Sequence, residues 1–480
     1  MSREEHLIQN NLRKIEELKK QGINPYPYRY DKKHYVEEIL EKFKEGKNVK
    51  TAGRVMTLRH LGKIAFAKLQ DETAEMQLIF SAQHTKNFEL VKKYLLRGDI
   101  IGVEGRCILS KTGEKSIQVE DFVFLSKVVR TLPEKYHGIQ DPEYRYRHRY
   151  LDFILNPQKR NNLRIRSQVI KELRAFLDKR GFLEVDTPIL QPVYGGAYAK
   201  PFVTYYNALE RNFYLRIAPE LYLKRLLIAG FEKVYELGKN FRNEGIDATH
   251  NPEFMSLEFY QAYADIYDMK DLTEELIKHV VKKVSGSLKI EYQGEKLNFS
   301  KFDVLTMEEA LKKYADIDVN KMSEKEMKNL LTKKDIMIRD ESRGYLIAKL
   351  FEEEVEHKLI QPTFIMDYPK EVTPLAKDHR SKPGFVERFE LFIAGIELAN
   401  AFSELNDPVE QRKRFEYELE QRQKGEEEAH PLDTDFIKAL EYGMPPAGGC
   451  GIGVERLVLL LANETSIRET IPFPALRTKE

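Results

Sequence analysis

Three stretches of the sequence combine residue types that can hold a nucleotide. The first is Phe241-Arg242-Asn243-Glu244-Gly245-Ile246-Asp247-Ala248-Thr249-His250-Asn251-Pro252-Glu253-Phe254. An arginine ends one strand-like segment, a polar loop follows, and a second strand begins near Phe254. Its guanidinium is a planar, permanently charged fork suited to phosphate oxygens. Side chains alternate along an extended strand, so Phe254, Ser256, Glu258 and Tyr260 share one face. A ring, a carboxylate and a phenol then point into one cleft. An ordinary hairpin with a surface salt bridge accounts for this segment, taken alone, equally well.

The second stretch runs Arg388-Phe389-Glu390-Leu391-Phe392-Ile393-Ala394-Gly395-Ile396-Glu397-Leu398-Ala399-Asn400-Ala401-Phe402-Ser403-Glu404. With Ala394-Gly395 as a two-residue hairpin turn, Glu397 opposes Phe392 and joins Glu390 on one face. Two such carboxylates repel unless a cation lies between them, and Mg²⁺ completed by substrate phosphates is a suitable one. Pairing with nearby arginines is the other way to hold them. Asn400, Phe402 and Glu404 alternate onto one face, and the odd step from 397 to 400 calls for a β-bulge.

The third stretch is Gly448-Gly449-Cys450-Gly451-Ile452-Gly453-Val454-Glu455-Arg456, followed by an apolar helix. Its glycines let backbone approach a ligand, but the third glycine of a dinucleotide fingerprint is missing and no βαβ unit follows. Arg456 begins a helix whose apolar face is buried, so its charge asks for an anionic partner such as a nucleotide phosphate. Cys107 and Cys450 read as small buried residues, not nucleophiles, since neither has a histidine nearby in sequence.

These residues need a framework. Residues 4–21 carry Leu7, Ile8, Leu12, Ile15 and Leu18 at helical spacing, enough to dock a helix but not to form a core. From residue 49 the texture changes to five short strands, with a helix after the third. That is the pattern of an OB barrel, which often binds single-stranded nucleic acid. Between residues 127 and 180 there are 14 basic against 6 acidic residues, including Tyr144-Arg145-Tyr146-Arg147-His148-Arg149-Tyr150. Such a run can contact phosphates, or it can pair with an acidic face, and residues 385–430 hold 12 acidic against 6 basic residues. Beyond residue 160, a helix over 165–179 and strands near 214–217, 233–241, 254–262, 362–367 and 389–402, joined by turns, predict an antiparallel sheet flanked by helices. The expected division is a helical extension over 1–48, an OB domain over 49–130, a basic hinge over 131–160 and a catalytic domain over 161–480. A charged helical insertion is expected at about 268–345. The fold class is α+β.

Composition excludes several alternatives. The chain has 480 residues, 42% of them apolar, and 78 basic against 77 acidic residues leave a net charge of +1. Disorder and a globally basic nucleic-acid binder are both out of line with that balance. Two cysteines 343 positions apart make neither a disulfide framework nor a thiolate zinc site. No signal peptide and no membrane helix is expected, and the protein is read as cytoplasmic.

Two phosphate-grade arginines, a carboxylate pair and an antiparallel sheet describe an ATP site without a P-loop. At this point the chain resembles the class II aminoacyl-tRNA synthetases, and within them the lysyl-tRNA synthetases. Gly181-Phe182-Leu183-Glu184-Val185-Asp186-Thr187-Pro188 matches the first class motif, the Arg242 loop the second, and Gly451 to Arg456 the third. Lysyl-type stretches include Gly195-Gly196, Ala218-Pro219-Glu220-Leu221-Tyr222-Leu223-Lys224-Arg225 and Asn400-Ala401-Phe402-Ser403-Glu404-Leu405-Asn406-Asp407. Lys200, Ile396 and Asp121 depart from the residues usual in the family.

The resemblance implies roles residue by residue. Arg242 and Arg456 are the catalytic arginines. ATP is held by Arg242, Glu244, His250, Asn251, Phe254, Glu390 and Arg456, and Mg²⁺ by Glu390 and Glu397. L-Lysine is held by Gly196, Glu220, Glu258, Tyr260, Asn400, Phe402 and Glu404, and the anticodon of tRNA(Lys) by Phe66 and Gln77. The implied activity is ATP-dependent attachment of lysine to tRNA(Lys) through lysyl-adenylate, releasing AMP and pyrophosphate. The carboxylate nucleophile is already ionised at neutral pH and needs no general base. An aspartyl or asparaginyl enzyme is the alternative. It is disfavoured because no Arg or Lys shares the Asn400-Phe402-Glu404 face. A single-strand-binding protein would need only the barrel, and a paralogue that lysylates a translation factor would lack it. The first motif implies a homodimer, with apolar residues of the 165–179 helix and of the strand entering Thr187-Pro188 at its two-fold interface.

Overall fold

The computed structural model describes residues 2–133, 141–423 and 431–476. Two compact units divide the chain, Met1–Gln140 and Asp141–Glu480. Among the described residues no helix is long and apolar enough to cross a membrane.

In the first unit, helix Arg3–Lys20 starts on a capping box formed by Ser2 and Glu5 and stops before Gly22, whose φ is +76°. Only its C-terminal half docks: Ile15 and Leu18 are buried while Leu7 and Leu12 remain exposed. Five strands, β1 (Asn48–Leu61), β2 (Ile64–Gln70), β3 (Glu75–Ser81), β4 (Ile100–Leu109) and β5 (Lys115–Ser126), close into a barrel in the order β1-β2-β3-β5-β4. Helix Phe88–Tyr94 lies between β3 and β4 in the chain. Period two sorts each strand: Ala65, Ala67 and Leu69 of β2 fill the interior, and Phe66 and Lys68 alternate with them. Closure leaves no open sheet edge.

The second unit begins its strands with β6 (Leu183–Glu184), β7 (Leu190–Gln191), β8 (Val203–Tyr206), β9 (Arg211–Leu215), β10 (Lys233–Phe241) and β11 (Glu253–Ala262). It continues with β12 (Lys289–Tyr292), β13 (Glu295–Asn298), β14 (Asp303–Thr306), β15 (Thr363–Pro369), β16 (Phe385–Ile393), β17 (Ile396–Ser403) and β18 (Ala447–Gly453). Eight strands form the main sheet in the order β14-β15-β16-β17-β18-β11-β10-β6. It is antiparallel except where β14 meets β15 and β6 meets β10. Helices Arg160–Lys179, Ile266–Ser285 and Val454–Leu461 contribute Leu173, Leu276 and Leu457 to one core with Leu257 and Phe259 of β11. The alternate residues of β11, Glu258 and Tyr260, line a cavity.

Several expectations change here. The segment read as an insertion starts with helix Ile266–Ser285, which is packed into the main core, and β14 is a strand of the main sheet. Val169, Leu173, Phe176 and Leu177 of helix Arg160–Lys179 are buried in the same core, so these four are not free for a two-fold interface. The stretch read as a basic hinge straddles the division at Gln140, and two of its arginines, Arg145 and Arg149, pair with Glu469. Arg149 is fully buried between Asp152 at 2.7 Å and Glu469 at 3.2 Å. Arg145 also pairs with Glu469, and the Tyr146 hydroxyl donates to it at 3.1 Å. Burial alone would raise the Glu469 carboxyl; Lys159, Arg145 and Arg149 outweigh it and hold it below its ordinary range.

Removing one partner of a buried ionic cluster leaves the others uncompensated, which typically costs about 3–5 kcal/mol. Glu469→Gln should lower the stability of the Asp141–Glu480 unit by that order, read as a fall in urea midpoint with unchanged slope. A midpoint within error of the parent would rule out this cluster as a structural anchor.

Candidate active site

One face of the β16-β17-β18-β11-β10 part of the main sheet opens into a cavity of ≈ 380 Å³ lined by residues of all three chemistry-bearing stretches. That volume lies within the usual range for small-molecule sites. The register explains the convergence. Glu258 of β11 sits opposite Gly451 of β18, which sits opposite Asn400 of β17, which sits opposite Glu390 of β16. The expected turn at Ala394-Gly395 is present, with φ of +53° and +71°. So is the bulge: pairing jumps from Leu391–Ala399 to Phe392–Glu397, leaving Leu398 as the extra residue.

At one end of the cavity lie Glu220, Glu258 and Glu404, all buried. A fourth charge sits with them. Lys224, entirely buried, donates to Glu220 at 2.6 Å, pairs with Glu404 and lies 5.2 Å from the centre of the Phe402 ring. Glu220 and Lys224 are one turn apart on helix Glu220–Ile228, so their spacing alone brings them together. Three carboxylates thus share one resident ammonium. Burial, with the added repulsion of Glu220, pushes the Glu258 carboxyl up to about 8. Burial also raises Glu404 to about 8; Lys224 opposes the rise, and Glu220 and Glu258 add to it. The Tyr260 phenol is likewise pushed well up by burial, so it stays neutral and donates to Glu258 at 3.0 Å.

Glycine makes this packing possible. A Cβ at Gly449 would lie 2.2 Å from a Glu404 carboxylate oxygen and 2.4 Å from the Tyr260 ring. Gly196 has φ +89°, and a Cβ there would lie 2.9 Å from that of Glu220.

At the other end, Arg242 lies against the Phe254 ring at 5.1 Å, and its Nε is buried with no partner among the described residues. Burial pushes this guanidinium's pKa down, yet no carboxylate of the described residues is paired with it. An arginine in that state is a site for an anion that the protein itself does not provide. Glu397 is paired with Arg456 at 3.0 Å. Glu390 is paired with Arg388 and accepts from the Tyr368 hydroxyl at 2.7 Å. The alternative of arginine pairing is therefore realised for both carboxylates. A third acid, Glu356, is close enough that burial and the charges of Glu390, Glu352 and Glu397 push it up to about 8.

Two loop residues are engaged locally. His250 Nδ1 lies 2.9 Å from Asp247. Asn251 donates to the Glu253 carbonyl and accepts from the Ala475 backbone, so both ends of its amide are committed, although both residues line the cavity. Glu244 lines it too and is exposed. In the barrel, Phe66 and Gln77 belong to the neighbouring strands β2 and β3, and Gln77 donates to the Ser116 hydroxyl at 2.9 Å.

The residues missed in sequence are Lys224, Arg388 and Gly449. Lys224 overturns the premise that no cation reaches the Asn400-Phe402-Glu404 face, because it arrives from a helix and not from the strand. Its one signal was the i,i+4 spacing from Glu220, which ordinarily marks a solvated pair. Cys450 is buried against Thr273, and burial pushes its thiol up to about 12, which makes it inert as a nucleophile.

Comparison with known proteins is consistent with this geometry. The family described as class II tRNA synthetases (D, K and N) matches residues 141–477, and OB-fold nucleic acid binding domains match residues 49–125. A lysine–tRNA ligase of Carboxydothermus hydrogenoformans is 49% identical, covering 99% of this chain and 98% of the relative. One of Thermotoga maritima is 47% identical, covering 98% and 96%. Lysine–tRNA ligase 2 of Methanosarcina mazei is 49% identical, covering 98% and 94%. The chain belongs to the class II aminoacyl-tRNA synthetases, in the lysine–tRNA ligase family.

Proposed function

We propose that the protein joins L-lysine to tRNA(Lys) using ATP, through lysyl-adenylate. The observation that carries this reading is the charge count of the buried pocket. Glu220, Glu258 and Glu404 share a single resident ammonium, Lys224, so with all three ionised the pocket is two positive charges short. Lysine brings two ammonium groups and fills that deficit. Aspartate would bring a second carboxylate into the same pocket, and asparagine would leave one acid unpaired. We assign the α-ammonium to Glu220 beside Gly196, and the ε-ammonium to Glu258 and Glu404, with Tyr260 and Phe402 walling the aliphatic stem.

The lysine carboxylate, directed by Asn400, attacks the α-phosphorus. An O–P bond forms as the bond to the β-phosphate bridge breaks, and pyrophosphate leaves. Arg242 meets the charge growing on the α-phosphate, Phe254 stacks on adenine, and Arg456 holds the γ-phosphate end. Glu390 and Glu397, both at the cavity wall, would hold Mg²⁺, which neutralises phosphate charge when bound; the set suits a hard cation that takes most of its shell from substrate. The tRNA terminal ribose hydroxyl then attacks the mixed anhydride and AMP leaves. Phe66 and Gln77 of the barrel bind the anticodon. The activity belongs to the cytoplasm.

We also propose a homodimer. Leu190, Val203, Tyr205 and Leu209, on or beside the small sheet of β7, β9 and β8, are about half exposed, which supports an apolar contact with a second copy.

Three measurements test these statements. ATP–pyrophosphate exchange should depend on lysine and on no other standard amino acid. In Glu404→Gln it should fall about 30-fold or more with ATP binding little changed, because one partner of a buried charge pair is lost. Exchange stimulated equally by aspartate, or near-normal lysine kinetics in the variant, would refute the pocket assignment.

The pH dependence follows from Glu258. Its folded-state carboxyl is raised from 4.5 to about 8, so its contribution to the stability of the empty protein is full below pH 4.5 and is lost as pH rises through about 8. An ammonium needs the ionised form, so lysine binding should release a proton below pH 8. Affinity should then strengthen with pH by up to about tenfold per unit, levelling near pH 8. Calorimetry in buffers of different ionisation heat reads this directly; buffer-independent heats and a flat profile would exclude it.

Sedimentation at micromolar concentration should give a dimer mass. A fully active monomer would end the homodimer proposal.

A further inference from the structure

The reading above gives Asn400 the task of receiving the amino acid's carboxylate, but an amide has two ends. Only the N–H end can donate to a carboxylate, whereas the carbonyl end repels it. Something must decide which end faces the cavity.

Arg388 is placed to decide it. Its Nε donates to Asn400 Oδ1 at 3.1 Å. A guanidinium has no acceptor atom, so the amide end turned toward it must be the oxygen. The Asn400 Nδ2 is then left without a partner among the described residues, on a side chain that lines the cavity. Arg388 is itself fixed on every side. Its Nη1 donates to the Thr373 hydroxyl at 2.7 Å and to the Val372 carbonyl at 3.3 Å, and its Nη2 pairs with Glu390. Its plane lies 4.5 Å from the centre of the Tyr368 ring, whose hydroxyl donates to the same Glu390. Four of its five N–H groups are committed, and the side chain is only 13% exposed. Arg388 therefore has little left to offer a substrate directly; what it fixes is its neighbours.

We infer that Arg388 is a positioning residue that locks the Asn400 amide with its N–H toward the cavity, and so makes the site selective for a substrate carrying a free α-carboxylate. The inference rests on the lysine reading and adds to it the origin of carboxylate recognition.

The test is binding of lysine and of lysinamide, which keeps both amines but has no carboxylate, to the full chain without ATP and with EDTA present. The parent protein should bind lysine more tightly than lysinamide. In Arg388→Gln the amide is released, and lysine binding should weaken about tenfold, the scale of one hydrogen bond to a charged group, while lysinamide is unaffected. Equal weakening of both ligands, or no change, would overturn the inference and leave Arg388 as scaffold. Because Arg388→Gln also strands Glu390 and can impair folding, Asn400→Asp provides an independent arm with Arg388 and Glu390 intact. It presents no N–H to the cavity and should reverse the preference, favouring lysinamide. An Asp variant that still prefers lysine would overturn the inference. A parent protein that fails to bind lysine would overturn the lysine reading itself, a different result from lysine binding that is merely insensitive to Arg388.

Discussion

The end of the cavity that holds Glu220, Glu258 and Glu404 depends on Lys224, an ammonium with no exposure to water, held between Glu220 and Glu404. Isolated burial of any of these charges costs several kcal/mol. Lys224, Glu220 and Glu404 tolerate burial because they pair with one another, but Glu258 has no such partner: three acids share one base. Burial, with the repulsion of Glu220 added, is what raises Glu258. Helix geometry delivers Lys224 to Glu220, and the adjacency of β11, β18 and β17 delivers Glu258 and, one residue past the end of β17, Glu404.

The Arg242 end is built on the opposite principle. There Arg242, whose Nε is buried, has no carboxylate paired with it among the described residues, and Arg456 and Arg388 each hold one carboxylate. A rigid antiparallel sheet keeps both ends in fixed register, so a ligand with amines at one end and phosphates at the other meets complementary charge throughout. Such prearranged dipoles and charges need little reorganisation during reaction.

Much of this was legible in the sequence because it obeys local rules. Period two put Phe254, Ser256, Glu258 and Tyr260 on one face. The Ala394-Gly395 turn and the odd step from Glu397 to Asn400 required a hairpin and a bulge, and both are present. The five barrel strands and their intervening helix followed from alternation and turn spacing. What escaped was decided by contacts between residues far apart in the chain. Glu469 neutralises Arg145 and Arg149 across more than 300 residues, and no local pattern points to it. The i,i+4 spacing of Glu220 and Lys224 does not distinguish a solvated helical pair from one buried against Glu404. Helix Ile266–Ser285 was amphipathic either way; only the sheet determined that it belonged to the core and not to an insertion.

Gly449 has a consequence for redesign. Its missing side chain is the space in which the Glu404 carboxylate and the Tyr260 ring meet. Position 449 therefore cannot be used to shrink or reshape the pocket without first moving both of those groups. Reshaping this end of the cavity must begin at Tyr260 of β11 and at Glu404, just past the end of β17, and β18 becomes mutable only afterwards. The order of substitutions, and not just their identity, is set by a single absent methyl group.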